Sequence, residues 1–189
     1  DQIAQDLGCP AGSKTFRRLL NPVHYAYLKI SDGCNHRCGF CAIPRIRGSL
    51  VSVPSDTLLR EARFLATGGV KELILVSQDT TAYGFDWHGS NKKKNGALID
   101  LLERLHGIAG IEWIRLMYFY PSLISRDLLR AMAGMPKVCK YVDVPVQHIS
   151  ANVLKAMRRP SRPEQIYRTL EMIREEIPDV AIRTSLIVG

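Results

Sequence analysis

Nothing in these 189 residues is long and apolar enough to span a bilayer, so no membrane helix is expected. Acidic residues are in short supply: 18 Asp and Glu stand against 26 Lys and Arg, which leaves a net charge of +8. That excess suits an anionic partner such as RNA or a ribonucleoprotein surface, and a dispersed solvating charge is the plain alternative. Cysteine is scarce and odd in number, five in all. An odd count without a secretory pattern argues against a disulfide framework. It fits a reducing compartment, the cytoplasm, where thiols serve metals or redox chemistry. No sequence repeat is evident beyond a recurring strand–helix unit. What remains is ordinary for a globular domain, with 46% hydrophobic and 23% charged residues.

Residues 1–22 mix Gly, Pro and charge with little periodicity and read as a linker, with Cys9 as an incidental thiol; residues 23–189 read as one α/β core. Tyr25–Ile30 is the first expected strand, and a cysteine-rich loop that runs on to Gly48 follows at once. A helix over Ser55–Thr67 buries Leu58, Leu59, Ala62, Leu65 and Ala66 and stops at Gly68-Gly69. Leu73–Val76 is continuously apolar, as in a parallel strand buried on both faces. A polar loop, Ala82–Asn95, carries the Lys92-Lys93-Lys94 run, and a helix follows over Ala97–Leu105. Trp113–Tyr120 is the third strand, Arg126–Ala133 a helix capped by Ser125, and Tyr141–Val144 the fourth strand. Ser150 is expected to cap a short helix to Met157, and Ser161-x-x-Glu164 to open a last helix lined by Ile166, Leu170, Ile173 and Ile177. Val180–Val188 is the fifth strand. The chain then stops straight after an apolar strand, as a fragment of a longer protein would.

Strand–helix alternation predicts a parallel sheet. Polar clusters sit just after the strands: the cysteine loop, Ser77-Gln78-Asp79, Tyr118–Tyr120 and Gln147-His148. In barrels of βα units the active site lies on that face, so these segments are expected to meet at one mouth. Polar strand-end loops are also common without any function.

Cys34-x3-Cys38-x2-Cys41 places three cysteines within eight residues. Thiolates are soft ligands for iron–sulfur clusters, zinc or copper(I). Four-iron clusters usually take four cysteines, so three would leave one iron open to another ligand. A Cys3His zinc site with His36 is chemically possible, but structural zinc sites draw on two separated ligand pairs and no second pair is visible. Cys139 precedes an apolar strand and reads as an inert buried thiol.

The triplet resembles the signature of radical S-adenosylmethionine enzymes. The likeness extends through Tyr25–Asn35, Ile43-Pro44-x-x-Arg47-Gly48, Val51-Ser52-x-Pro54, Val76–Thr80, Tyr120-Pro121, Pro145–His148 and Met157-Arg158-Arg159. Together these resemble the methylthiotransferase branch. Leu28–Gly33 and Ser77–Thr80 are most similar to members that modify an aspartate of ribosomal small-subunit protein twelve; the tRNA-modifying branch, which acts on adenosine, usually has Gln-Asn in place of Gln78-Asp79.

The resemblance implies a partial parallel (βα) barrel, truncated after the fifth strand. It implies a [4Fe–4S] cluster on Cys34, Cys38 and Cys41, with S-adenosylmethionine on the fourth iron. Phe40, Ser77, Gln78, Asp79 and Gln147 would contact that cofactor, with Arg183 and Thr184 as weaker candidates. Arg45, Arg47, Arg158 and Arg159 would border the mouth and face the substrate. Implied partners are protein twelve or its ribosomal subunit, and an electron donor such as flavodoxin or ferredoxin. A further N-terminal domain with a second [4Fe–4S] cluster and a small C-terminal β domain are implied too, so these residues alone are expected to bind cofactor but not to complete the reaction. The rival outside enzymology is a metal-binding module that docks on RNA.

Overall fold

The computed structural model describes residues 22–87 and 94–188. The linker reading, Cys9, and Lys92 and Lys93 of the lysine run lie outside the described residues or at their margin.

Five parallel strands carry the fold: β1 (Tyr25–Lys29), β4 (Glu72–Val76), β5 (Trp113–Leu116), β6 (Tyr141–Asp143) and β7 (Ala181–Arg183). The two intervening strands, β2 (Ser31–Asp32) and β3 (Val51–Ser52), form a small antiparallel ladder. β1, β4 and β5 pair in that order, with Leu28 opposite Leu75 and Leu73 opposite Ile114. β6 pairs with β7, Val142 opposite Ile182. The two groups are stitched where the Phe119 N–H donates to the Asp143 carbonyl (2.8 Å) and the Cys139 N–H to the Ile114 carbonyl (2.9 Å). The result is a curved partial barrel, as expected.

Helices cover one face. They are α2 (Ser55–Thr67), α3 (Gly96–His106), α4 (Arg126–Gly134) and α6 (Pro163–Glu176), with two short helices, α1 (Ile43–Arg47) and α5 (Ala151–Ala156). Leu58, Leu59, Ala62 and Leu65 of α2 and Leu98, Leu101, Leu102 and Leu105 of α3 are buried against Ala26, Leu28, Leu73, Leu75, Ile114 and Leu116. These stripes are the expected ones, with Ala66 only partly buried. Ser125 caps α4 by accepting from the Leu128 N–H (3.2 Å).

The structure departs from the sequence reading at several places. In β4, Glu72, Ile74 and Val76 are only half-buried, because the sheet face away from the helices is open. The third strand stops at Leu116: Tyr118 takes φ 60°, which no strand allows, and turns the chain toward the mouth. The fifth strand stops at Arg183, where the Thr184 hydroxyl donates to the Val144 carbonyl and accepts from the Val146 N–H, and pairing resumes only at Leu186 opposite Gln147. Pro44 opens α1 inside the expected loop, its missing N–H being no loss in a first turn. Ser150 makes no side-chain cap, and α6 opens at Pro163 with Gln165 accepting from the Arg162 N–H (2.8 Å) rather than with Ser161 and Glu164. The expected polar loop after Ala82 buries Tyr83 completely, its hydroxyl bonded to the Val53 carbonyl (2.8 Å).

Candidate active site at the strand ends

The segments after β1, β4, β5, β6 and β7 enclose a cavity of about 430 Å³. Cys34, Cys38 and Cys41 all line it, with Phe40 and His36 of the same loop. Ser77 and Gln78 reach it from β4, Tyr118 and Tyr120 from β5, Gln147 from β6 and Ser185 from beyond β7. The expected convergence is therefore present, except that Asp79 and His148 do not line the cavity, His148 accepting from the Ser150 N–H at Nδ1 (2.9 Å).

The cysteine loop is held by its own chain. The Cys34 N–H donates to the Gly48 carbonyl (3.1 Å) and Asn35 Oδ1 accepts from the Leu50 N–H (3.0 Å). At its far end the Gly39 N–H donates to the Met157 carbonyl (2.8 Å), just beyond α5. Between them His36 Nε2 lies 2.6 Å from Asp79 Oδ2. The other Asp79 oxygen accepts from the Thr81 N–H (3.0 Å) and the Thr81 hydroxyl. Asp79 thus contacts the loop, not the cavity. Ser77 Oγ pairs with Thr80 Oγ1 (3.2 Å), while Gln78 Oε1 is buried with no hydrogen-bond partner among the described residues and is ready for a donor.

Burial pushes the Cys34 thiol up, against the His36 amide 3.4 Å from its sulfur; the neighbouring charges of Asp79, Cys38 and Cys41 push the same way as burial. A Cys34 thiolate that burial and neighbouring negative charge both disfavour fits a site that receives a cationic centre. Among the described residues no three His, Cys, Asp or Glu side chains come as close together as a single metal ion requires. A cube-shaped four-iron cluster takes its thiolates at separate corners, so the donor set fits it.

The four arginines of the sequence reading part company. Arg159 lines the cavity; its guanidinium lies 4.5 Å from the Tyr120 ring, and Nη2 donates to the Pro145 carbonyl (2.6 Å). Arg45 and Arg47 are exposed on α1, Arg47 lying 3.9 Å from Asp32. Arg158 lines a separate, shallow cleft with Lys155 and Arg162. Arg183 reaches Asp143 (3.4 Å) and Thr184 bonds to backbone, so neither lines the cavity. Ser185 escaped the sequence reading because it fell inside the expected strand Val180–Val188, whereas β7 ends at Arg183.

A parallel partial barrel with three cysteines at its strand ends defines a class, and the sequence profile of the Radical SAM superfamily matches residues 28–189. The chain belongs to that superfamily, which carries a [4Fe–4S] cluster and uses S-adenosylmethionine. Within it, the chain is 50% identical over 173 residues to the ribosomal protein uS12 methylthiotransferase RimO of Flavobacterium johnsoniae, covering 92% of this chain and 38% of that protein. It is 51% identical over 165 residues to the enzyme of the same name from Acetivibrio thermocellus, covering 87% of this chain and 35% of that one. The chain therefore spans little more than a third of the length of these relatives. Among solved structures, the radical S-adenosylmethionine methyltransferase TsrM of Kitasatospora setae superposes with a TM-score of 0.64 at 17% identity, over 87% of this chain and 31% of that one, a likeness of fold.

Proposed function

We propose that residues 23–189 are the radical core of an enzyme that methylthiolates the β-carbon of an aspartate in ribosomal protein uS12. The observation that carries the reading is the meeting of Cys34, Cys38 and Cys41 with Gln78 and Gln147 on one cavity of about 430 Å³. The names of the two relatives support the substrate.

In this reading Cys34, Cys38 and Cys41 hold the [4Fe–4S] cluster. When bound, that cluster would supply the one-electron reduction of S-adenosylmethionine on which the family's radical chemistry depends. The chain's part is to bind and to orient. Gln78 Oε1, buried and unpartnered, would accept from the amino group of the methionine moiety. Ser77 narrows the same wall, held by Thr80. Phe40, half-exposed between two cysteines, offers its backbone to the adenine, and Gln147 closes the ribose side. Tyr118, Phe119 and Pro145 give the cavity an apolar lining that limits water near the reacting carbon. Arg45 and Arg47 on α1, where Arg47 also pairs with Asp32, and Arg158 in the neighbouring cleft offer cations to an acidic loop of the substrate or nearby ribosomal RNA. The electron comes from a flavodoxin- or ferredoxin-type carrier. No helix among the described residues is long and apolar enough to cross a membrane, and a ribosomal substrate places the reaction in the cytoplasm.

The test is anaerobic reconstitution of the full-length enzyme with iron and sulfide, then electron paramagnetic resonance with and without S-adenosylmethionine. A signal that shifts on addition, with 5′-deoxyadenosine released, is expected. Mass spectrometry should then find the methylthio group on uS12 and none on tRNA. Modified tRNA adenosine would move the substrate to the tRNA branch, and a spectrum that ignores S-adenosylmethionine would end the enzyme reading.

A further inference from the structure

Behind the cysteine loop four side chains from distant segments form a column. The Asp79 carboxylate holds His36 at 2.6 Å. The His36 imidazole stacks on Tyr120, ring centroids 3.6 Å apart and 9° from parallel. The Arg159 guanidinium lies 4.5 Å from the centre of the same ring. From that seat Arg159 Nη1 donates to the Cys38 sulfur at 3.8 Å.

Each part of this geometry fixes a charge. Arginine stays protonated in proteins, so the positive charge does not switch off with pH. Nη2 is anchored on the Pro145 carbonyl at 2.6 Å, and among the described residues no carboxylate forms an ion pair with Arg159 to neutralise it. The ring beneath it adds a cation–π contact and is itself backed by His36. Cys38 thus sits beside a positioned cation with no direct carboxylate partner, the Asp79 carboxylate lying at the far end of the column beyond His36.

We propose that Arg159 sets the reduction potential of the centre held by Cys34, Cys38 and Cys41, with Tyr120 as the positioning residue that seats it. The inference rests on the reading of those cysteines as [4Fe–4S] ligands. Reduction of such a cluster adds one electron and no proton, drawn from an external one-electron carrier, so the centre gains one negative charge. A fixed cation and an N–H donor at a ligand sulfur favour that form and raise the potential. Arg159 therefore makes the centre easier to reduce by the carrier that feeds it.

The experiment is a redox titration of the reconstituted full-length enzyme, with dithionite as reductant and electron paramagnetic resonance as readout. Wild type, Arg159→Lys and Arg159→Gln are compared, with iron and sulfide content measured separately. Arg159→Gln should keep its iron and lose about tenfold in the reduction equilibrium, a midpoint about 59 mV more negative for a one-electron couple. Arg159→Lys should recover much of the difference, since it restores charge without the stacking plane. If Arg159→Gln assembles no cluster, Tyr120→Phe and Tyr120→Leu carry the test together: phenylalanine keeps the arginine's seat and removes only the hydroxyl that also meets Cys38, leucine removes both, and the leucine midpoint should be the more negative of the two. An unchanged midpoint in Arg159→Gln, or equal midpoints in the two Tyr120 variants, overturns the inference while leaving the cluster reading intact. A wild type that assembles no four-iron cluster overturns both.

Discussion

Gly33 shows how much a single residue can decide here. It stands immediately before the first cysteine at φ 74°, and a Cβ on it would run into the Ser49 carbonyl. Two penalties coincide, a backbone conformation that favours glycine and a close approach of main chain to main chain. Gly33→Ala should therefore cost on the order of 2 kcal/mol or more of stability. It should also lower the iron bound per chain after reconstitution. Thermal melting and iron analysis check both, and a variant with wild-type values would show that the loop tolerates displacement. That the three cysteines share one cavity was legible in the sequence because it follows from their local spacing. Asp79 was not: it reads as a cofactor contact, but its carboxylate is engaged by His36, 43 residues away. Arg159 was picked out only as a rim charge, since nothing local announces a stack on Tyr120. Such pairings are made by the fold, and a chain read in one dimension hides them.

At the scale of elements, helices were read closely and strands only in outline. Leucines at helical spacing on α2 and α3 survive as buried stripes because every turn repeats the same signal. Strand ends are decided by single side chains such as Tyr118 and Thr184, which leave no periodic trace. The pairing of α4 with α6 was equally silent. Arg126 bonds Glu176 and lies 3.1 Å from Glu175, while Arg130 reaches Glu176 at 2.9 Å. The hydrogen bond from Arg130 holds the Glu176 carboxyl below its ordinary 4.5, with burial opposing and Arg126 assisting. A carboxyl depressed in the folded state adds stability above its unfolded value and gives it up as pH falls through the lower folded value. Wild type should thus lose melting temperature below pH 4.5 more steeply than Glu176→Gln. The variant should be the less stable at neutral pH, and the two should converge in acid. Parallel melting curves across that range would remove the clamp from the account of stability.

For the whole molecule, the net charge of +8 is the property most exposed to a partner. Part of it is spent internally, as in the pairs of Arg115 with Glu72 at 2.6 Å and of Arg47 with Asp32 at 3.9 Å, while Arg45 of α1 is exposed. If Arg45 and Arg47 help to capture a ribosomal substrate, reversing both charges should raise the KM for uS12 about tenfold at low salt. The difference should shrink as salt is added. A KM that does not move would return these arginines to solvation. The open sheet face and the mouth at the strand ends leave the chemistry to the segments that follow each strand, while the helices on the other face provide the core. The cysteine loop combines both roles. Bonds to Gly48, Leu50, Asp79 and Met157 tie it to the strand ends and to the turn after α5. The three sulfurs are accordingly presented by a scaffold that the chain itself ties down at both ends, so the loop should keep its path in protein prepared without iron; amide hydrogen exchange across residues 34–41, compared before and after reconstitution, checks this.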